Sequence, residues 1–245
     1  MKVLLFTHSQ DIDGMGCALL ANKAFKDYTL VPTKTFDITK NVKEYIDNKK
    51  IYDYDQIYVT DLCIKEPLLK QIDEDEVLRN KLIVLDHHKT EIEEGNNKYD
   101  FVNIIVEEDG IKQSGTNLFY KYLVKNNLLE PNEVIKEIVE WTRQYDVYDW
   151  KKENNELARY LHILYEKLGY EKYLEIMNYK INNLDCASCA QKVEDMINKR
   201  EDVIEGHLSF VNGLLMIESE NELDIKELEK FIQKIEPEVT LEEKK

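Results

Sequence analysis

No stretch of the sequence approaches the ~18 consecutive apolar residues that a membrane-spanning helix requires, so no membrane span is expected. Basic residues are outnumbered: 33 lysines and arginines face 49 acidic residues, a formal charge of −16, and no local basic patch relieves it. Such a surface would repel a long nucleic acid, which leaves short or small phosphorylated substrates recruited by metal charge. Only four cysteines occur, two of them in a single CxxC, which suits a reducing cytoplasm better than a disulfide framework. The opening MKVLLFTHSQD meets polar residues at once and has no small-residue cleavage site, so it reads as a strand and not as a signal peptide. Glycine is scarce, eight in 245 residues, and no glycine-rich run occurs beyond residue 88. Against these absences, 43% hydrophobic residues are ample for a core, and the length permits one large or two modest domains.

Histidine is also scarce, five in all, yet three of the five sit close to aspartates in two short pieces, HSQDIDG at 8–14 and DHH at 86–88. A third piece, IYVTDLC, supplies Asp61. Each follows a β-branched or leucine-rich run, which predicts a position at the carboxyl end of a buried strand. In an open α/β sheet those ends face one crevice, where groups distant in sequence converge. A lone strand-end histidine or aspartate is most often a cap, but three pieces of the same chemistry argue for a metal-dependent phosphoesterase centre. Imidazole and carboxylate donors without thiolate suit Mn²⁺, with Mg²⁺, Co²⁺ or Zn²⁺ as alternatives.

The pattern H-x-x-D-x-D-G, then a strand-terminal D, then D-H-H, resembles the DHH phosphoesterase superfamily over roughly residues 1–175. Within it, His8 to Gly14 is most similar to the branch of short-RNA ("nanoRNA") oligoribonucleases and related nucleotide phosphodiesterases. The resemblance implies that His8, Asp11 and Asp61 hold one ion and that Asp13, Asp61, His87 and Asp146 hold another, with Asp61 bridging. In QYDVYDW, Asp149 competes with Asp146 for the fourth aspartate position. Two ions roughly 3.5–4 Å apart can clamp the attacking and leaving oxygens of an in-line displacement. By the same resemblance His88 would touch the phosphate or assist the leaving group, and Asp86 would orient an imidazole. His8 and Asp11 are three residues apart, where the similar family II pyrophosphatases have four, which argues against a pyrophosphatase. Complete members of the branch carry a second, substrate-clamping domain with a glycine-rich motif. No such run follows the DHH triplet, so that domain is not expected here.

In chain order, strands are expected at 2–7, 29–36, 56–60, 81–85 and 101–106, and helices at 15–25, 40–48, 67–75, 114–124 and 131–143. The start of the first helix offers backbone N–H groups to an anion. Residues 107–110 read as an acidic turn. Ser114 reads as an N-cap, while the resemblance keeps a phosphate contact open for it. A helical hairpin, 156–168 and 171–177, is expected to break at Gly169.

From residue 178 the pattern changes to strand, helix, two strands around Asn212-Gly213, helix and strand: βαββαβ, the order of a ferredoxin-like domain. With Asp185-Cys186-Ala187-Ser188-Cys189 at its first strand-to-helix loop, it resembles a heavy-metal-associated domain, as found in soft-metal chaperones and at the front of metal-pumping ATPases. Two residues between the cysteines let both sulfurs reach one ion. Asp185 adds a hard, charged donor that favours Zn²⁺, Cd²⁺ or Pb²⁺ over Cu⁺. A thioredoxin-type redox CxxC is the alternative, without that fold's strand order. His207, on an expected strand away from the loop, reads as structural.

The fold expected is thus α/β, a DHH domain over 1–177 with a mainly parallel sheet flanked by helices, followed by an α+β ferredoxin-like domain over 178–245. Two functions compete. One is a two-metal hydrolase of short oligonucleotides or small nucleotides that carries a soft-metal module. The other is a heavy-metal binding or delivery protein, with a metal-transport partner and a catalytically idle DHH domain. The complete set of expected ligands favours the enzyme.

Overall fold

The computed structural model describes residues 1–176, 179–184, 187–209, 213–219 and 223–243. The chain divides into two compact units, 1–163 and 164–245. In the first, the strands are β1 (Val3–His8), β2 (Tyr28–Thr33), β3 (Gln56–Thr60), β4 (Leu82–Asp86) and β5 (Val102–Ile104). They form one parallel sheet in the order β2-β1-β3-β4-β5. Helices α1 (Ile12–Ala24), α2 (Ile38–Asp47), α3 (Leu68–Glu74), α4 (Glu76–Lys81), α5 (Lys89–Glu93), α6 (Gly115–Lys125) and α7 (Glu133–Asp146) connect and cover it.

The apolar runs explain the layers. A central parallel strand is buried on both faces, so it needs no polar alternation. Val3, Leu4, Leu5 and Phe6 are all fully buried. Leu4 and Phe6 join Ile57, Val59 and Val84 in a core closed by Val42 of α2 and Leu69 of α3. Val3 and Leu5 point the other way, to Tyr58, Leu85, Leu20 of α1, Phe119 of α6 and Val139 of α7. Because all five strands are parallel, their carboxyl ends share one edge. The chain moves outward to β2 and then returns to β3 on the other side of β1, so the switch point of the sheet lies between β1 and β3. Beneath it, Thr60 donates its hydroxyl to Thr7 at 2.9 Å, and Thr7 donates to the Gly14 carbonyl at 2.9 Å, tying β3, β1 and α1 together.

Three local expectations are corrected. The acidic turn is a small hairpin, β6 (Glu107–Glu108) and β7 (Ile111–Lys112), turned by Asp109 and Gly110 with φ 52° and 79°. Positive φ at both central residues is what a two-residue hairpin demands, and Asp-Gly supplies it. Helix α1 begins at Ile12, three residues earlier than expected, because Asp11 caps it. After α8 (Trp150–Glu153), the expected helical hairpin is one helix, α9 (Glu156–Ile176), which runs through Gly169. One interior glycine costs only about 1 kcal/mol, and the good helix formers on either side outweigh it.

The second unit contains β8 (Tyr179–Asn182), α10 (Ala187–Ile197), β9 (Val203–Ser209), β10 (Leu214–Ser219), α11 (Ile225–Ile232) and β11 (Thr240–Glu243). Its antiparallel sheet, β11-β8-β10-β9, is the ferredoxin-like arrangement. Ala190, Val193 and Ile197 of α10 and Leu228 and Ile232 of α11 repeat at helical spacing and pack on Leu208, Leu215 and Ile217 of the sheet. Among the described residues, no helix is long and apolar enough to cross a membrane.

Candidate metal centre

The site is assembled at the carboxyl edge of the parallel sheet. β1 ends in His8, and Asp11 then caps α1. Its Oδ1 accepts from the Asp13 and Gly14 amides, both at 3.1 Å, and its Oδ2 lies 2.7 Å from His8 Nδ1. One carboxylate therefore serves helix and imidazole together, and it occupies two amides that sequence reasoning had left for an anion. Gly14 is needed for this approach: a Cβ there would lie 2.0 Å from the His8 carbonyl oxygen.

Asp61, just past β3, has a left-handed backbone with φ 57° and is almost fully buried. A non-glycine residue pays roughly 1–3 kcal/mol for such a conformation, and strain of this kind concentrates at functional sites. The geometry it produces is specific. Asp61 Oδ2 lies 3.6 Å from His8 Nδ1, and Oδ1 lies 3.2 Å from His87 Nε2. His87 Nε2 in turn lies 3.6 Å from both Asp13 Oδ2 and Asp146 Oδ2. Potential donor atoms of His8, Asp11 and Asp61 fall within 4.8 Å of one another, as do those of Asp13, His87 and Asp146.

Asp13 is fully buried and is gripped by the start of α6: Oδ2 accepts from the Gly115 amide at 2.5 Å and Oδ1 from the Thr116 amide at 2.9 Å. The amides of a helix N-terminus thus bind an anion that belongs to the protein itself. Ser114, weighed above as a phosphate contact, is buried, and its hydroxyl accepts from the Asn117 amide at 3.2 Å. It is the cap of α6.

Asp146 is the last residue of α7. Asp149 is drawn elsewhere, to Arg143 at 3.1 Å and Lys152 at 2.9 Å. Arg143 went unnoticed in the sequence. It is buried, pairs with Glu140 at 2.6 Å and donates to the Lys112 carbonyl at 3.1 Å, which pins the end of α7. Thr35 was also missed: its hydroxyl lies 3.1 Å from His8 Nε2. Asp86 orients His88, not His87. Its Oδ1 accepts from His88 Nδ1 at 2.7 Å and from the His87 amide at 2.8 Å, while Oδ2 is buried without a partner among the described residues. The His88 side chain is half exposed.

Protonation reports the excess of negative charge. Burial alone would lower the His8 imidazole, but the Asp11 and Asp61 carboxylates outweigh it and hold His8 up at about 10. Burial pushes Asp61 well above the ordinary carboxylate value, and the Asp13 carboxylate adds to this. Burial and Asp13 likewise raise Asp146. A cluster driven to hold protons is one that a divalent cation would relieve. This, the unpartnered Asp86 Oδ2 and the oxygen-rich donor set fit hard or borderline divalent ions.

In the second unit, Asp185 and Cys186 lie outside the described residues. Cys189 is half-buried in the first turn of α10, and His207 lies on β9.

The family model for the DHH family, N-terminal domain, matches residues 2–142, more than half of the chain, and the chain belongs to the DHH family. A heavy-metal-associated domain matches residues 178–239. Among particular proteins, the chain is similar to "Oligoribonuclease NrnB" of Bacillus subtilis (strain 168), 26% identical over 206 residues, which are 83% of this chain and 51% of that protein. The chain thus spans about half the length of this curated relative. Its fold is also that of an uncharacterized protein from Helicobacter pylori G27, with TM-score 0.56, 21% identity, and coverage of 72% of this chain and 55% of that one.

Proposed function

We propose that the first domain hydrolyses phosphodiester or phosphate bonds in short oligonucleotides or small nucleotides, using two Mn²⁺-type ions for which Mg²⁺ or Co²⁺ can stand in. The observation that carries this reading is the Asp61 carboxylate, one oxygen turned to His8 and the other to His87. In this reading His8, Asp11 and Asp61 hold one ion, and Asp13, Asp61, His87 and Asp146 hold the second. When bound, two such ions supply positive charge to the phosphoryl oxygens and ease ionisation of the attacking water.

The remaining roles fall to the chain's own residues. The Asp86 carboxylate fixes His88 through Nδ1 and holds its imidazole above the ordinary histidine value. That leaves Nε2 to donate to a phosphate or to the leaving oxygen. Burial around Asp13 and Asp61 lowers the local dielectric and strengthens each of these interactions. Similarity to an oligoribonuclease supports short oligonucleotide substrates, and the charge of −16 weighs against long ones. The domain is taken to extend to about residue 177. Beyond it the heavy-metal-associated domain would hold Zn²⁺, Cd²⁺ or Pb²⁺ through Asp185, Cys186 and Cys189 and could exchange it with a metal-transport partner in the cytoplasm.

The test is turnover of a panel by the full chain: a ribodinucleotide, a cyclic dinucleotide, 3′-phosphoadenosine 5′-phosphate, pyrophosphate and a chromogenic phosphodiester, with Mn²⁺ and after chelation. Chelator-sensitive hydrolysis of the dinucleotide, with pyrophosphate spared, is the expected result. No turnover of any substrate, in a folded chain that binds Zn²⁺ through its cysteines, would favour the metal-delivery function. Serine at both Cys186 and Cys189 should remove tight Zn²⁺ binding, and collapse of Mn²⁺-dependent turnover in that variant would show the halves to be coupled.

A further inference from the structure

Two exposed aromatic side chains lie close in sequence to residues of the metal centre, on different elements. After β2, the chain makes a single 3₁₀ turn, Thr35–Asp37. The Thr35 hydroxyl reaches His8 Nε2, and the next residue, Phe36, is 99% exposed. Beyond α7, Tyr148 follows Asp146 by two residues, is 66% exposed and has a left-handed backbone with φ 63°. Single exposed apolar side chains are ordinary on protein surfaces. These two differ in position, since one is a neighbour of a group that touches His8 and the other is a neighbour of Asp146. The left-handed backbone of Tyr148 is that of the residue just past the C-cap of α7, its amide donating to the Tyr145 carbonyl at 3.2 Å, and it holds the side chain at the end of the helix that carries Asp146. Lys151 adds a positive charge, with Nζ 5.2 Å from the centre of the Tyr148 ring, in a chain whose basic groups are outnumbered by acidic ones.

We propose that Phe36 and Tyr148 are stacking platforms for the two nucleobases on either side of the scissile phosphate, with Lys151 meeting a flanking phosphate. The proposal rests on the phosphodiesterase reading and sharpens it, since it makes the preferred substrate a base-bearing dinucleotide. Every nucleobase presents a π-face, so platforms of this kind bind without regard to sequence, as degradation of mixed short fragments requires. They also let an acidic protein hold a short polyanion through stacking and local charge, without the broad basic groove that a long strand needs.

The test uses the full chain in Mn²⁺ with two readouts. One is fluorescence quenching of a phosphorothioate ribodinucleotide that carries aminopurine. The other is steady-state turnover of the matching phosphodiester and of its abasic analogue. In Phe36→Ala, and in Tyr148→Asn, where asparagine tolerates the left-handed backbone, the dissociation constant and KM for the dinucleotide should rise roughly ten- to a hundredfold. KM should change more than kcat, and the abasic analogue, which has nothing to stack, should lose far less. Phe36→Trp, which restores a ring, should recover the affinity. Unchanged affinity in both single variants, equal losses on the abasic analogue, or a wild-type chain that quenches no probe would overturn the platforms. A wild-type chain that quenches the probe, with quenching lost in Phe36→Ala, yet hydrolyses nothing would support the platforms and overturn the phosphodiesterase reading.

Discussion

Asp61 shows how one residue can carry several constraints at once. Its left-handed backbone, its burial and its place beside the Asp13 carboxylate each cost free energy, and an ion on either side would offset part of that cost. The metal-free centre should therefore depend on pH in a defined sense. The folded chain holds a proton on His8 up to about 10, whereas an unfolded histidine releases it near 6.5. The contribution of His8 to stability is then complete below about pH 6.5 and is lost as pH rises through 10. The raised Asp61 and Asp146 carboxyls act in the same direction, beginning above their ordinary carboxylate values. Melting temperature in chelator should fall from pH 6.5 to 9, and Mn²⁺ should flatten the slope by replacing the protons. A flat or rising profile in chelator would count against the cluster. Residues at strand ends were legible because histidine is rare and aspartate recurs beside it. Thr35 was not legible, since its partner His8 is 27 positions away. Nor could the sequence separate Asp146 from Asp149, because the choice is made by the Arg143 guanidinium, which draws Asp149 off.

At the scale of elements, the strands were readable because a parallel sheet buries both faces, leaving continuous runs such as Val3 to Phe6. The misread elements failed for local reasons. Gly169 resembled a break, but α9 passes through it, and the Asp109-Gly110 hairpin was too short to show an alternating pattern. The grip of α6 on Asp13 joins residues 102 and 103 positions apart, a relation that no local pattern records. It depends on Gly115, where a Cβ would lie 2.5 Å from the Asp61 Cβ and 3.1 Å from Asp13 Oδ2. Gly115→Ala must push α6 or Asp61 aside. It should cost about 1–3 kcal/mol of unfolding free energy, measured by denaturant titration, and should weaken Mn²⁺ binding. A variant that is as stable as the parent and binds Mn²⁺ equally well would show that the packing at this point is loose.

At the scale of the molecule, two units of different design share one chain: a parallel sheet whose carboxyl edge gathers oxygen and imidazole donors, and a ferredoxin-like sheet with Cys189 in the first turn of α10. The change in pattern near residue 178 coincides with the start of the heavy-metal-associated match, 178–239, while the compact units part between residues 163 and 164. The formal charge of −16 is part of the proposed preference for short substrates, since a strongly acidic chain repels long polyanions. The central claim is that the first unit binds a pair of ions through a shared Asp61. Its most direct test is titration of the full chain with Mn²⁺, counting ions by calorimetry and reading their mutual distance from the electron paramagnetic resonance spectrum. The account predicts two ions per DHH centre with a spin-coupled signal that disappears in Asp61→Asn. A single ion, or a coupled pair that persists in Asp61→Asn, would contradict it.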